Sequence, residues 1–117
     1  MEFKIEKSDD IVVVGLMIEA LDASNAKEFK SDIASVLIKN KKVLFDMSNV
    51  KFVDSSGCGA LLSCLRQLNS EKGNLKLMGV EKAVKTLFEL VRMNRIIGIY
   101  DNRKEALDSF KVAAFEK

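Results

Sequence analysis

Residues 43–62, VLFDMSNVKFVDSSGCGALL, decide the interpretation of this chain. An apolar run ends at Asp46, a second short apolar piece follows, and the polar segment DSSG (54–57) then leads into leucines at helical spacing. The pattern predicts a buried strand followed by an amphipathic helix. Two adjacent hydroxyl groups, those of Ser55 and Ser56, therefore lie where extended chain turns into helix.

The rest of the chain alternates strand and helix patterns, in the order β-β-α-β-α-β-α-β-α. This order predicts an α/β fold with a mixed, mostly parallel sheet. A length of 117 residues suits a single domain spanning 1–117. The first strand should bury Phe3 and Ile5 on one face, and the last residues, 113–117, are expected to fray. The predicted strands are 2–7, 11–16, 43–45, 75–78 and 96–100, and the predicted helices are 26–39, 56–71, 81–93 and one that begins after 101 or 102.

The composition is that of a globular protein, with 48% hydrophobic and 31% charged residues. The formal charge of +2, from 19 basic and 17 acidic residues, is too balanced to indicate a nucleic-acid partner. The densest basic run, 39–42, is interpreted as a solvated loop. The apolar stretches are shorter than the ~20 residues that span a bilayer, and the N-terminus has no apolar signal core. We therefore expect a cytoplasmic protein without a membrane segment.

The chain contains no histidine, which excludes a Ser-His-Asp or Cys-His pair and any histidine-containing metal site. Cys58 and Cys64 are six residues apart in one predicted helix, about 9 Å along its axis. A disulfide needs Cα atoms within about 7 Å, so both are predicted to be free thiols. No catalytic residue, metal or cofactor is predicted.

Polar side chains follow several predicted strands. In open α/β sheets, functional groups gather beyond the carboxyl ends of the strands. Asp46 and Asp54 lie on the loops around the predicted site, and Asp22 precedes the first helix. We expect these carboxylates to converge near Ser55 and Ser56 at one edge of the sheet.

A structural role competes with any function for Ser56. As a helix N-cap, its hydroxyl would accept a hydrogen bond from the N–H of Cys58 or Gly59. However, Gly57 and Gly59 together weaken a helix by about 2 kcal/mol relative to alanine. Glycines at a helix start leave the backbone open to the approach of another surface, which favours an interaction site.

Three functional roles remain for the serine pair. The helix start would suit a bound phosphate, but the GxxxxGK[ST] motif of NTPases is absent. A serine nucleophile would need a lysine base, and the nearest, Lys51, has no motif relation to Ser56. The third role is a regulatory serine that another enzyme phosphorylates, where the new charge acts on a partner.

The segment LFDMSNVKFVDSSGCGALL resembles the signature of the anti-sigma factor antagonists, members of the STAS domain group (sulfate transporter and anti-sigma factor antagonist). In that group a D-[ST]-[ST]-G-x-G segment follows a strand and opens a helix. The resemblance extends over nearly the whole chain, including the pair Leu21-Asp22 and the C-terminal stretch TLFELVRMNRIIGIYDNRKEAL.

The resemblance implies a bacterial protein that takes part in partner switching and regulates transcription. Its unphosphorylated form would bind an anti-sigma factor that is itself a serine kinase, and so release a sigma factor. The kinase would phosphorylate Ser56 and end the contact, and a PP2C-type phosphatase would restore it. The chain would be a substrate and not an enzyme. The positions implied to surround the site and bind the partner are Asp22, Asp54, Ser55, Gly57 and Gly59.

Two positions depart from the family pattern. Cys58 stands where leucine is frequent, which leaves redox sensitivity open, and Ile18-Glu19-Ala20 replaces a segment in which glycine is common. Relatives of this group also serve as parts of stress-signalling assemblies or as subunits of membrane lipid transporters that contact an ATPase. Those roles are the alternative to an anti-sigma factor antagonist.

Overall fold

The computed structural model describes residues 1–112, which form a five-stranded sheet with helices on both faces and a separate two-stranded ribbon. The expected fraying of 113–117 lies outside the described residues. The strands are β1 (Phe3–Ser8), β2 (Ile11–Leu16), β3 (Ala20–Leu21), β4 (Lys42–Asp46), β5 (Phe52–Val53), β6 (Asn74–Met78) and β7 (Gly98–Tyr100). The helices are α1 (Ala26–Lys39), α2 (Ser55–Ser70), α3 (Lys82–Leu90), a 3₁₀ turn (Met93–Arg95) and α4 (Arg103–Val112).

The main sheet has the strand order β1-β2-β4-β6-β7. β1 and β2 form an antiparallel hairpin, and every later pairing is parallel. The helices between the parallel strands make the crossovers that such pairing requires. The predicted α/β class, with its mixed and mostly parallel sheet, is confirmed.

Alternation along the strands divides the core between the two faces of the sheet. Val12 and Val14 of β2 join the larger cluster, which α1, α2 and α3 cover, whereas Val13 joins a smaller cluster under α4. Phe29 of α1 is fully buried and packs edge-on against Phe45 of β4, with ring centroids 5.9 Å apart. Within residues 1–112, no helix has both the length and the apolar character needed to cross a bilayer.

Three details of the predicted pattern are wrong. The last strand is Gly98–Tyr100 rather than 96–100, because Ile96 and Ile97 leave the 3₁₀ turn before the strand begins. Ile5 is 54% exposed, because β1 is an edge strand whose Phe3 alone packs against the ring of Phe29. α3 ends at Leu90 and does not reach 93, since Arg92 takes a left-handed conformation (φ 63°) and a 3₁₀ turn follows.

The sequence pattern also misses the ribbon of β3 and β5. Ala20 pairs with Phe52 and Leu21 with Val53, in parallel. Two-residue strands are too short to show any periodicity, so only their tertiary pairing defines them. This ribbon positions the candidate site, because it holds the two loops that carry Asp22 and Asp54 side by side.

Candidate functional site: the start of helix α2

Helix α2 begins at Ser55, and its N-cap is Asp54. The N–H of Gly57 donates to Asp54 Oδ1 at 2.9 Å, as in a typical cap. The N–H of Ala23 donates to Asp54 Oδ2 at 3.1 Å, so one carboxylate joins the loops after β3 and β5. The interpretation of Ser56 as the cap is therefore wrong. The Asp54 carboxylate, two residues before Ser56, already accepts a hydrogen bond from the N–H of Gly57 in this turn.

These backbone donors stabilise the charged form of Asp54. The bond from Gly57 is the largest cause that lowers the pKa of the Asp54 carboxyl, with Ala23 and Ser56 N–H groups adding to it against partial desolvation. The positive end of the α2 dipole acts in the same direction. Asp54 is therefore a fixed negative charge beside the serine pair at neutral pH.

Gly57 is buried, contrary to the expectation that both glycines leave the backbone open. A Cβ on Gly57 would lie 2.1 Å from the carbonyl oxygen of Leu21 and 2.8 Å from Val53 Cγ1. Glycine is therefore required at position 57, because α2 packs closely on the ribbon there. Gly59 differs, because a Cβ there would meet nothing within 4 Å and the residue is exposed.

The carboxylates converge only in part. Asp22 lies at the site: its Oδ1 accepts from the N–H of Ser24 at 2.9 Å and from its hydroxyl at 2.6 Å, which shapes the turn facing Asp54. Asp46 instead forms the same kind of turn with Ser48, beside the backbone of Gly79. Among residues 1–112, the side-chain hydrogen bonds of Asp46 go to Ser48 and do not join the loops that carry Asp22 and Asp54, so the expected convergence of all three carboxylates is not seen.

Ser55 and Ser56 are both exposed, but they lie on different grooves. Ser56 borders a groove of about 460 Å³ between α1 and α2, which we call the basic groove. Ser55 borders a groove of about 330 Å³ between α2 and the α3–3₁₀ segment, which we call the apolar groove. Gly59 lines both grooves and forms part of the ridge between them.

Within the described part of the chain, residues 1–112, the basic groove is lined by three cationic side chains and by no carboxylate. Lys27 and Lys30 come from α1 and Arg66 from α2, two turns beyond Gly59. The remaining lining is small or polar: Ala23, Ala26, Ser56, Gly59, Ala60 and Ser63. An anionic group on Ser56 would therefore have cations on one side and Asp54 on the other.

The apolar groove is lined by Cys58, Leu62, Leu87, Val91, Met93 and Ile96, together with Ser55 and Gly59. Val91 is 51% and Ile96 60% exposed, and neighbouring Leu90 is 76% exposed. Large apolar side chains that expose this much surface together are typical of protein-binding sites.

Cys58 and Cys64 are free, as predicted, and both are buried. Burial raises the pKa of both thiols, to about 12 for Cys64, and the nearby Asp54 carboxylate adds to the rise for Cys58. Thiolate is the reactive form of cysteine. A redox role for Cys58, left open by the sequence, therefore has no electrostatic support at this site.

The arrangement defines a class: an α/β domain that presents a capped helix start, with an exposed serine pair, between two grooves. The STAS domain family model matches residues 2–106. The chain belongs to the STAS domain family, which confirms the resemblance found in the sequence.

Two known proteins are similar over most of their length. An anti-sigma F factor antagonist from Paenibacillus polymyxa is 26% identical over 116 residues, which cover 97% of this chain and 98% of that protein. The crystal structure of a candidate anti-sigma factor antagonist from Thermotoga maritima has a TM-score of 0.82 at 28% identity and covers 92% of each chain.

A third similarity concerns the fold alone. SpoIIAA in its unphosphorylated form gives a TM-score of 0.67 at 21% identity, covering 94% of this chain and 98% of that chain. Its phosphorylated form gives 0.67 at 20% identity, covering 93% and 99%.

Sequence reasoning missed the two grooves. Lys27, Lys30 and Arg66 appear in the sequence only as the polar faces of two amphipathic helices, which is how most surface helices look. The packing of α1 beside α2 brings them together around Ser56. The regular spacing of Ser56, Gly59, Ala60 and Ser63 along one face of α2 was the signal available.

Proposed function

We propose that this chain is a bacterial, cytoplasmic anti-sigma factor antagonist. Its unphosphorylated form binds a serine-kinase anti-sigma factor and thereby releases a sigma factor. Phosphorylation of Ser56 by that kinase ends the contact, and a PP2C-type phosphatase restores it. The chain is then a protein substrate and a binding module rather than an enzyme.

The observation that carries this proposal is the position of Ser56. It lies in the first turn of α2, exposed, while Asp54 does the capping. Its hydroxyl is thus available for modification without loss of the helix cap. The family membership and the antagonist from Paenibacillus polymyxa support the same role.

The fold should tolerate a phosphate at Ser56. The modification adds about −1.5 to −2 charges. The α2 dipole favours a negative charge at this end by about 0.3–1 kcal/mol, and the cations Lys27, Lys30 and Arg66 line the adjoining groove. Asp54 opposes the phosphate from the capping position. The favourable contributions balance the repulsion, so the modified chain stays folded.

A bound partner responds differently to the same charge. The partner-binding surface that we propose comprises Asp22, Asp54, Ser55 and Gly59, extends into the apolar groove, and rests on the packing that Gly57 permits. Closing a partner over this surface would remove the phosphate from water, which costs several kcal/mol when no cation of the partner matches it. Each loss of about 1.4 kcal/mol lowers affinity tenfold, so a micromolar contact is abolished.

The first test is a phosphorylation assay with the anti-sigma factor kinase of the same genome, ATP and magnesium. We expect one phosphate on the wild type, located at Ser56 by mass spectrometry. Ser55→Ala should still be modified, whereas Ser56→Ala should not. Incorporation into Ser56→Ala at the wild-type rate would refute the site assignment.

The second test measures affinity for the anti-sigma factor by calorimetry. Ser56→Asp should weaken binding at least about tenfold, with a thermal midpoint within a few degrees of the wild type. Ser31→Asp, which adds the same charge on an exposed turn of α1, is the control and should bind normally. Normal binding by Ser56→Asp would remove the electrostatic basis of the switch.

A further inference from the structure

A cavity separate from both grooves lies at the opposite end of the strands from Ser56. It has a volume of about 520 Å³ and is bounded by the β1–β2 turn, the α1–β4 loop and the α2–β6 loop. Helix α2 has 16 residues and spans about 24 Å, so this cavity is separated from the serine pair by the length of the domain. Nothing in the proposed switch uses it.

The lining of this cavity is strongly basic. Among residues 1–112 its lining contains Lys7, Lys39, Lys41, Lys42, Lys72 and Lys76, with Asp10 as the one acidic residue. Asp10 pairs with Lys42 at 2.9 Å. The net charge of the whole chain is only +2, whereas the lining of this cavity is dominated by lysine side chains. The basic run 39–42, interpreted from the sequence as a solvated loop, is one wall of the cavity.

Lys76 is the unusual member of this set. Lys76 is only 8% exposed, and it lies on the face of β6 that packs under α4. Its Nζ donates to Ser109 Oγ at 2.9 Å and lies 4.7 Å from the ring centre of Phe110 and 5.6 Å from that of Tyr100. Among residues 1–112 these contacts are neutral. A buried ammonium is stabilised most by an anion, which a ligand in the cavity would supply.

The backbone brings the lysine-bearing loops together. A Cβ on Gly73 would lie 2.4 Å from the carbonyl oxygen of Lys41, and the N–H of Asn74 donates to that oxygen at 2.7 Å. Lys72 takes a left-handed conformation (φ 63°) at the end of α2, a place where glycine or asparagine is usual. Lysine there has a conformational penalty.

We propose that this lysine cavity binds a small molecule that carries two or more linked phosphates. Several separate ammonium groups match several phosphates, as in other phosphate sites. The volume falls within the roughly 300–1,000 Å³ of small-molecule sites. A nucleic acid would need an extended basic stripe, whereas these lysines surround a concavity.

The test uses inorganic tripolyphosphate as the probe, titrated into the ¹⁵N-labelled chain at 0.15 M salt. We expect saturable amide shifts centred on Lys41, Lys72, Gly73 and Asn74. ATP without magnesium forms a second arm: tighter binding than tripolyphosphate indicates a nucleotide, and equal or weaker binding indicates recognition of the phosphates alone. Shifts centred on the basic groove beside Ser56, or no saturation, would overturn the proposal.

Two pairs of exposed lysines supply the matched variants. Lys41→Gln combined with Lys72→Gln should raise the tripolyphosphate Kd at least about tenfold, because two charge-assisted contacts are lost. Lys82→Gln combined with Lys104→Gln removes the same charge elsewhere and should change it less than about twofold. An equal loss in both double variants means a non-specific charge effect and refutes the site. Tighter binding of a 20-base-pair DNA than of tripolyphosphate would refute it as well.

Discussion

Gly57 and Gly59 are two residues apart in one helix, and we expect alanine to have opposite effects at the two positions. A Cβ at Gly57 would lie 2.1 Å from the carbonyl oxygen of Leu21. Side chains cannot rotate to relieve this contact because the oxygen belongs to the backbone of β3. The ribbon and α2 would have to separate by roughly 1 Å in a close-packed region. At Gly59 the added methyl group points into open space.

The magnitudes follow from these contacts. Overpacking of this kind costs about 3 kcal/mol, and alanine returns up to about 1 kcal/mol in helix propensity, so Gly57→Ala should lose about 2 kcal/mol. Gly59→Ala has only the propensity gain of about 0.5–1 kcal/mol. For 117 residues, about 1 kcal/mol corresponds to ~4 °C. Gly57→Ala should therefore melt about 8 °C lower, and Gly59→Ala about 2–4 °C higher.

The assay is thermal unfolding followed by circular dichroism, with urea titration as an independent measure of the free energy of unfolding. Both variants change one glycine to alanine in the same helix, so each controls for the other. If Gly57→Ala raised the midpoint as much as Gly59→Ala, the close approach of α2 to Leu21 would be refuted. The structural explanation of the DSSG segment would then fail with it.

Three further predictions concern the core, the cap and the thiols. Phe29→Ala should lose about 3–5 kcal/mol of unfolding free energy in urea titration, because Phe29 is fully buried. Phe52 is 54% exposed, so Phe52→Ala should lose far less. Equal losses in the two variants would contradict the assigned core. Because the pKa of Asp54 is lowered on folding, its stabilising effect is present above the ordinary pKa of 3.8 and is lost as pH falls through the folded value. Acid titrations should therefore show a smaller stability loss below pH 3.8 in Asp54→Asn than in the wild type, and identical profiles would rule the effect out. Iodoacetamide at pH 8 should label Cys58 and Cys64 slowly in the folded chain and rapidly in urea, since both thiols are buried with raised pKa values; rapid labelling of the folded chain would disprove this.

Long periodic segments were predictable because each carries its signal locally. Helix α1 ends at Lys39 both in the predicted pattern and in the structure, and strand β2 has the predicted bounds Ile11–Leu16. Helix α2 ends at Ser70, close to the predicted end, but Lys72 rather than Gly73 takes the left-handed conformation after it, and the N–H of Gly73 donates to the carbonyl of Leu68 at 2.7 Å. Such elements depend on residues a few positions apart, which a sequence displays directly.

The candidate site was predictable in its position and not in its internal roles. The strand-to-helix transition at Ser55 and Ser56 is visible in the sequence, but whether Asp54 or Ser56 caps the helix depends on which side chain reaches Gly57 N–H. The same holds for Asp46, whose side chain accepts from Ser48 in a turn of its own, which the sequence pattern does not display.

The sequence by itself determined the α/β class, the absence of histidine chemistry and the location of the serine pair, because periodicity and composition are properties of the linear chain. The tertiary structure alone decided what surrounds the pair. It placed Ser56 on a basic groove and Ser55 on an apolar one, and it buried Gly57 against Leu21. It also gathered lysines from Lys7 to Lys76 around one cavity. These arrangements join residues far apart in the chain, and only the packing of helices and loops on the sheet fixes their distances.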